Sequence, residues 1–229
     1  MNLRIFTLTL EPENPVRFSI EGFRSFLNKQ VLEYAALRTD REGFVHRYQV
    51  VQCKQVKTML MAVGIAQGAD FLHQLSTGRT AIAAGPDTCT IVSRDPAVRE
   101  EEFVIADEPS TYEFQTSWLA LSQQNAKKFY DLTGKPERDA FMHKILIGHL
   151  STLAKSLDYT PAVPITCEAK VRFRRERIDR ENLIVFYGKF TTNLRIPDYL
   201  GIGQSISQGY GTVRRLDPAV PVGENEDSV

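Results

Sequence analysis

Leu3-Arg-Ile-Phe-Thr-Leu-Thr-Leu10 largely alternates apolar and polar residues and carries β-branched and aromatic side chains, the pattern of a half-buried strand. Pro12 and Pro15 end it. Ile20, Phe23, Leu27, Val31 and Tyr34 then recur at helical spacing, with Ser19 placed to cap an amphipathic helix. Thr39 to Gly43 reads as a loop. Phe44 to Lys54 and Thr58 to Ile65 read as two strands around a short turn, and Gly68 to Leu75 as a short helix. Further strands are expected over Thr88 to Val92 and Phe103 to Ala106. The order β-α-β-β-α-β with one added strand is that of a ferredoxin-like (RRM-like) domain of the α+β class.

The second half repeats the theme. Pro109-Ser110 is the expected boundary, and Tyr112 to Leu121 restarts as a strand holding the single tryptophan, Trp118. Ser122 to Leu132 reads as a helix broken by Gly134-Lys-Pro136, and Phe141, Ile145, His149, Thr152 and Leu153 mark a longer one. Ile165 to Arg174 and Leu183 to Ile196 read as strands joined by the polar turn Arg175 to Asn182, with Thr212-Val213 as a last strand. Two α+β units result, residues 1–109 and 110–216, followed by an acidic tail over 217–229 that is expected to be disordered.

The chain has 229 residues, 42% hydrophobic and 24% charged, enough to bury a real core. Its 28 basic residues balance 28 acidic ones, so nucleic-acid affinity has to come from local segregation of charge. Such segregation is present. Glu100-Glu-Glu102, Asp107, Glu108 and Glu113 lie mid-chain, whereas Lys170, Arg172, Arg174, Arg175, Arg177 and Arg180 crowd one short run. Cys53, Cys89 and Cys167 have no zinc or disulfide spacing, the N-terminus lacks signal-peptide character, and no apolar run reaches membrane-spanning length. A cytoplasmic protein without metal or cofactor is expected.

Gly201-Ile-Gly-Gln-Ser-Ile-Ser-Gln-Gly-Tyr-Gly211 holds two Gly-X-Gly units separated by five residues. Glycines let a backbone approach a phosphate closely, and successive amides with Ser and Gln side chains form an anion-binding nest; a tight turn between strands is the plainer reading. The spacing excludes a dinucleotide fingerprint, which opens a helix early in a βαβ unit, and the lysine of a P-loop is missing. In Arg172-Phe-Arg-Arg-Glu-Arg177, alternation sets Lys170, Arg172 and Arg174 on one face and Phe173 on the other, toward the core. That row is a candidate phosphate track; a solvated hairpin tip is the alternative.

Thr191-Thr-Asn-Leu-Arg-Ile-Pro-Asp-Tyr-Leu-Gly-Ile-Gly-Gln-Ser-Ile-Ser-Gln-Gly-Tyr-Gly-Thr-Val213 resembles the C-terminal signature of the CRISPR repeat-processing endoribonucleases of the RAMP superfamily. Arg47-Tyr-Gln-Val-Val-Gln-Cys-Lys54, Val63-Gly-Ile-Ala-Gln-Gly68, and Trp118-Leu-Ala-Leu-Ser-Gln-Gln-Asn125 with Lys144-Ile-Leu-Ile-Gly-His149 resemble the same family in the same order. The resemblance spans all but the tail. It implies two tandem ferredoxin-like domains that bind CRISPR repeat RNA, often a hairpin. It also implies metal-independent cleavage by a ribose 2′-hydroxyl, leaving a 2′,3′-cyclic phosphate, or else a repeat-binding subunit working with other CRISPR-associated proteins. Oligomeric state is not legible.

The resemblance also distributes roles. The family places a catalytic histidine just after the first helix. Here that stretch is Tyr34-Ala-Ala-Leu-Arg-Thr-Asp-Arg-Glu-Gly43, with Arg38 nearest the expected position and His46 following. Histidine as a residue type suits proton transfer near neutral pH, which makes His46 the candidate for that role, and Arg38 is a fixed cation for a phosphorane. The candidate RNA contacts are Gly201, Gly203, Gln204, Ser205, Ser207, Gln208, Gly209 and Gly211, together with Lys170, Arg172, Arg174, Arg175 and Lys54. Gln204 and Gln208 stand where many relatives carry Lys and Arg. Lys54 is read either as a cation for RNA or as an exposed strand-end residue.

Overall fold

The computed structural model describes residues 1–14, 20–36, 50–57, 59–84, 87–178 and 181–216. The chain runs β1 (Asn2–Pro12), α1 (Ile20–Ala36), β2 (Val51–Val56), β3 (Met59–Ile65), α2 (Gln67–Ser76), β4 (Ala81–Ala84), β5 (Asp87–Arg94) and β6 (Arg99–Glu102). It continues as β7 (Val104–Phe114), α3 (Gln123–Asp131), α4 (Lys135–Ser156), β8 (Cys167–Ile178), β9 (Glu181–Arg195), a 3₁₀ turn (Ile206–Gln208) and β10 (Val213–Arg215). No helix among the described residues is long and apolar enough to cross a membrane.

The first sheet is antiparallel, with order β2-β3-β1-β5-β4; β6 pairs with the N-terminal half of β1. The second has order β10-β7-β9-β8. Numbered within each unit, both carry the ferredoxin-like arrangement of a first strand flanked by the third and last, the 3₁₀ turn standing in the second unit where a second helix would be. The two α+β ferredoxin-like units read from the sequence are therefore observed, with additions in the first. β4 and β6 were not expected: Arg99-Glu-Glu-Glu102 has no apolar alternation. It pairs edge-on with Asn2 to Ile5, and Arg99 forms ion pairs with Asp95 and Glu101.

Phe103 to Ala106 differs from expectation. Val104 to Ala106 belong to β7, where Val104 and Ile105 pair with Arg195 and Leu194 of the second sheet. The change of sheet therefore falls at Phe103. Pro109-Ser110 lies inside β7, where the register shifts between Ile105 and Ser110, a bulge that accommodates a residue unable to donate to the ladder. Trp118 is also outside any strand proper, joined to Phe186 by an isolated bridge.

Two clusters of buried side chains hold the fold. One, around Phe6, Leu8, Phe23, Leu27, Val51, Cys53 and Leu72, sits between the first sheet and its helices. The other gathers Leu146 and Leu150 of α4 against Phe186 and Phe190 of β9, and takes in Leu3, Ile5, Val63 and Ile65 from the first sheet. The two units thus share apolar contact, and the glycine-rich segment lies where they meet.

Candidate nucleic-acid interface

The segment from Gly201 to Thr212 is closed on itself. Gly201 bridges Thr212, the Ile202 amide donates to the Gly211 carbonyl at 2.9 Å, and Gly209 N–H donates to the Ile206 carbonyl at 3.1 Å. Its base is tied to the Trp118 segment, with Gln204 N–H donating to Leu119 O and Gly211 N–H to Ser117 O. The glycines are required by protein contacts. Gly203, at φ 99°, faces the Trp118 indole so closely that a Cβ would lie 2.5 Å from Nε1. Gly209, at φ 87°, lies on the backbone of β2, its Cβ position 3.2 Å from the Cys53 carbonyl; a Cβ on Gly211 would enter the Ile202 carbonyl. Gly201, Gly209 and Gly211 are buried, whereas Gln204, Ser205 and Gln208 are exposed. Among the described residues, the amides of Ser205, Ile206 and Ser207 have no protein acceptor.

The loop rests on β2, whose alternate residues Gln52 and Lys54 are buried beneath it. Gln52 Oε1 accepts from Gly201 N–H at 3.2 Å. Arg24 of α1 reaches the Ser207 carbonyl at 3.5 Å. Lys54 corrects the sequence reading: it is fully buried, and its Nζ donates to Thr212 Oγ1 at 3.3 Å. Burial favours the neutral amine and pulls its pKa down to about 7. Lys54 is a support under the loop and presents no ammonium to solvent.

The indole of Trp118 donates to His149 Nδ1 at 3.2 Å, so the residue that packs on Gly203 is itself fixed from α4. Burial lowers the His149 pKa to about 4. Gln52, Arg24 and His149 were not singled out as loop supports in the sequence. The alternation of Gln52 with Lys54 in a run otherwise rich in apolar residues is the one available signal for a polar face covered by another element.

Lys170, Arg172 and Arg174 share the open face of β8, as the alternation predicts, and Phe173 turns toward Phe129 of α3 and Phe186 of β9. Lys170 pairs in register with Lys189, Lys189 with Glu113 and Glu113 with Arg214, so one charged row crosses all four strands. Lys170 is ion-paired to Glu168 at 3.3 Å, and Arg174 Nε donates to Glu176 at 2.7 Å. Arg172 has no ion-pair partner among the described residues. Arg175 sits on the opposite face, where its Nε donates to Tyr130 Oη at 3.2 Å. The face of β8 therefore separates Arg175 from the other three. The hairpin is also longer than expected, pairing as far as Ile178 with Glu181.

Three of the four histidines are described, and each is engaged. His149 accepts from Trp118, His143 Nε2 accepts from Ala169 N–H at 3.1 Å, and the His73 ring packs edge-on against Phe6. His46 and Arg38 lie outside the described residues.

Residues 1–102 match the family model for the Cas6b N-terminal domain, and residues 104–216 match that for the Cas6b C-terminal domain. The chain belongs to the Cas6b family. A curated relative, an uncharacterized protein of Methanocaldococcus jannaschii, is 29% identical over 136 residues, 56% of this chain and 86% of that protein. A solved Cas6b structure superposes with a TM-score of 0.73 at 24% identity, covering 94% of this chain and all of the other. A second, described as the CRISPR RNA processing endoribonuclease Cas6b, gives 0.69 at the same identity and coverage. The change from the Cas6b N-terminal to the C-terminal model coincides with the change of sheet at Phe103.

Proposed function

We propose that this Cas6b-family chain is an endoribonuclease that binds CRISPR repeat transcripts and cuts once within each repeat to release guide RNA. The observation that carries the reading is the match to both Cas6b domains in order along residues 1–102 and 104–216. The cut proceeds without metal, by attack of the 2′-hydroxyl on the adjacent phosphate to leave a 2′,3′-cyclic phosphate. This chemistry needs a group that removes the hydroxyl proton and charge that steadies the phosphorane. His73, His143 and His149 are engaged in packing or hydrogen bonds, and His46, close after the stretch where the family places its catalytic histidine, takes the proton step. Arg38 supplies the cation.

RNA is gripped on two surfaces. One is the outer rim of the glycine-rich loop, where Gln204, Ser205 and Gln208 are exposed beside the amides of Ser205, Ile206 and Ser207, which have no acceptor among the described residues. Its glycines act by seating the loop on Trp118 and β2, with Lys54 below. The other is the open face of β8 with Lys170, Arg172 and Arg174, a row suited to consecutive phosphates. The absence of histidine from Tyr34 to Gly43 favours one rival, a repeat-binding subunit that does not cleave. Incubating the purified protein with its own repeat RNA in EDTA separates the two. Cleavage to a cyclic-phosphate end is expected; tight binding with intact RNA would establish the rival.

A further inference from the structure

Tyr130, Phe173 and Tyr187 are 46%, 42% and 40% exposed, and they are the exposed large aromatic residues among the described ones. All three lie at the β8–β9 hairpin or on α3 beside it. Each carries a guanidinium: Arg175 is 5.3 Å from the Tyr130 ring centre, Arg138 is 5.9 Å from Phe173 and Arg174 is 5.7 Å from Tyr187. Arg138 is held in place, since its Nε donates to the Leu132 carbonyl at 2.9 Å and its guanidinium also lies 5.3 Å from the Phe129 ring. Between β8 and the start of α4 a cavity of about 510 Å³ opens beside these rings, with Phe129 and Phe173 among its apolar lining and Thr133 and Asp139 among its polar lining. Arg172, without an ion-pair partner among the described residues, also borders it.

Phe173 and Tyr130 lie on one face of the hairpin, each with a planar cation, and make a surface matched to other flat π-systems, whereas Tyr187, in register with Arg172, faces the other way. Bases within a duplex are already stacked on their neighbours and offer no free face. Unpaired bases do, and they stack on aromatic rings and on arginine planes alike. We propose that this cavity takes an unpaired base of the RNA ligand against Phe173 and the Arg138 guanidinium, with Arg172 reaching a flanking phosphate. Tyr130 extends the platform to a neighbouring base, and Thr133 and Asp139 meet the polar edge of the inserted one. The site rests on the reading that the ligand is repeat RNA, and it adds that single-stranded nucleotides beside any paired stem are held here.

The test compares the protein's own repeat RNA with the same RNA carrying abasic residues at its unpaired positions. Wild-type protein should prefer the first by about tenfold or more. Phe173→Ala should lose most of that preference, and Phe173→Trp, which keeps a ring, should retain it. Equal affinity of the wild type for both RNAs, or an undiminished preference in Phe173→Ala, overturns the subsite while leaving the endoribonuclease reading intact. Failure of the wild type to bind either RNA overturns both. Phe173 also packs on Phe129, so a second measurement uses the wild type alone. Photocrosslinking with 4-thiouridine at the unpaired positions should label peptides within residues 129–139 or 171–187; crosslinks confined elsewhere overturn the proposal.

Discussion

Trp118 and His149 meet edge-on, their ring planes at 84°, with the indole hydrogen donated to Nδ1 directly beneath Gly203. An imidazole that accepts at Nδ1 and has its pKa lowered to about 4 by burial is neutral, and protonation would cancel the hydrogen bond. The unfolded chain takes up this proton near pH 6.5 and the folded one only near 4. Stability from this pair is therefore complete above about pH 6.5 and is lost as pH falls from there toward 4, by up to about 3 kcal/mol. Urea unfolding across that range should show the decline in the wild type and a flatter profile in His149→Asn, which keeps an acceptor but does not titrate.

The glycines of the loop separate folding from binding. Gly203→Ala sets a Cβ against the indole at a backbone φ of 99°, and Gly211→Ala sets one into the Ile202 carbonyl. Each should lower stability by about 2 kcal/mol or more. Gly78, at φ 71° with nothing within 4 Å of its Cβ position, is the control, and Gly78→Ala should cost only about 1 kcal/mol. Thermal unfolding of the three variants checks the order; equal losses would show that the loop's contacts with Trp118 and Ile202 are unimportant.

Lys54 has the opposite signature to an exposed lysine. Its folded pKa of about 7 lies below the ordinary 10.5, so the unfolded chain holds more protons between those values and stability rises with pH there. Cys53, pushed up to about 12 by burial, works against this above its ordinary pKa of 9. The clean window is therefore pH 7 to 9. Lys54→Met should remove the rise and be more stable than wild type at pH 7 and below, since no buried ammonium remains; a rise that persists in the variant would contradict the burial.

The two faces of β8 should differ in phosphate contact. Lys170→Ala, Arg172→Ala and Arg174→Ala should each weaken binding to the repeat RNA and reduce the slope of log K against log salt by roughly 0.7 per lost phosphate contact. Arg175→Ala, on the Tyr130 side, should leave that slope unchanged. Titrations at several salt concentrations decide it.

The sequence made the ferredoxin-like order legible because strand and helix periods are clean in Leu3–Leu10, in α1 and in β8. It hid elements whose formation depends on a partner strand. Arg99-Glu-Glu-Glu102 has no apolar alternation, yet it pairs with the edge of β1, and Pro109 reads as a boundary although a bulge in β7 absorbs it. The glycine-rich loop was found by its spacing, but the reason for each glycine could not be. Whether a Cβ would strike a phosphate or an indole depends on Trp118 and β2, more than eighty residues away in the chain. Lys54 was ambiguous on the same ground: the residues that cover it arrive from the other domain.

The central claim is cleavage of the repeat by this chain's own residues. Its most direct test is incubation of wild type and His46→Ala with the repeat RNA in EDTA, followed by mapping of the product ends. The expected result is one cut per repeat with a 2′,3′-cyclic phosphate, and a rate about 10²-fold lower in the variant at unchanged affinity. Tight binding of intact repeat by the wild type, or an undiminished rate in His46→Ala, would contradict the account.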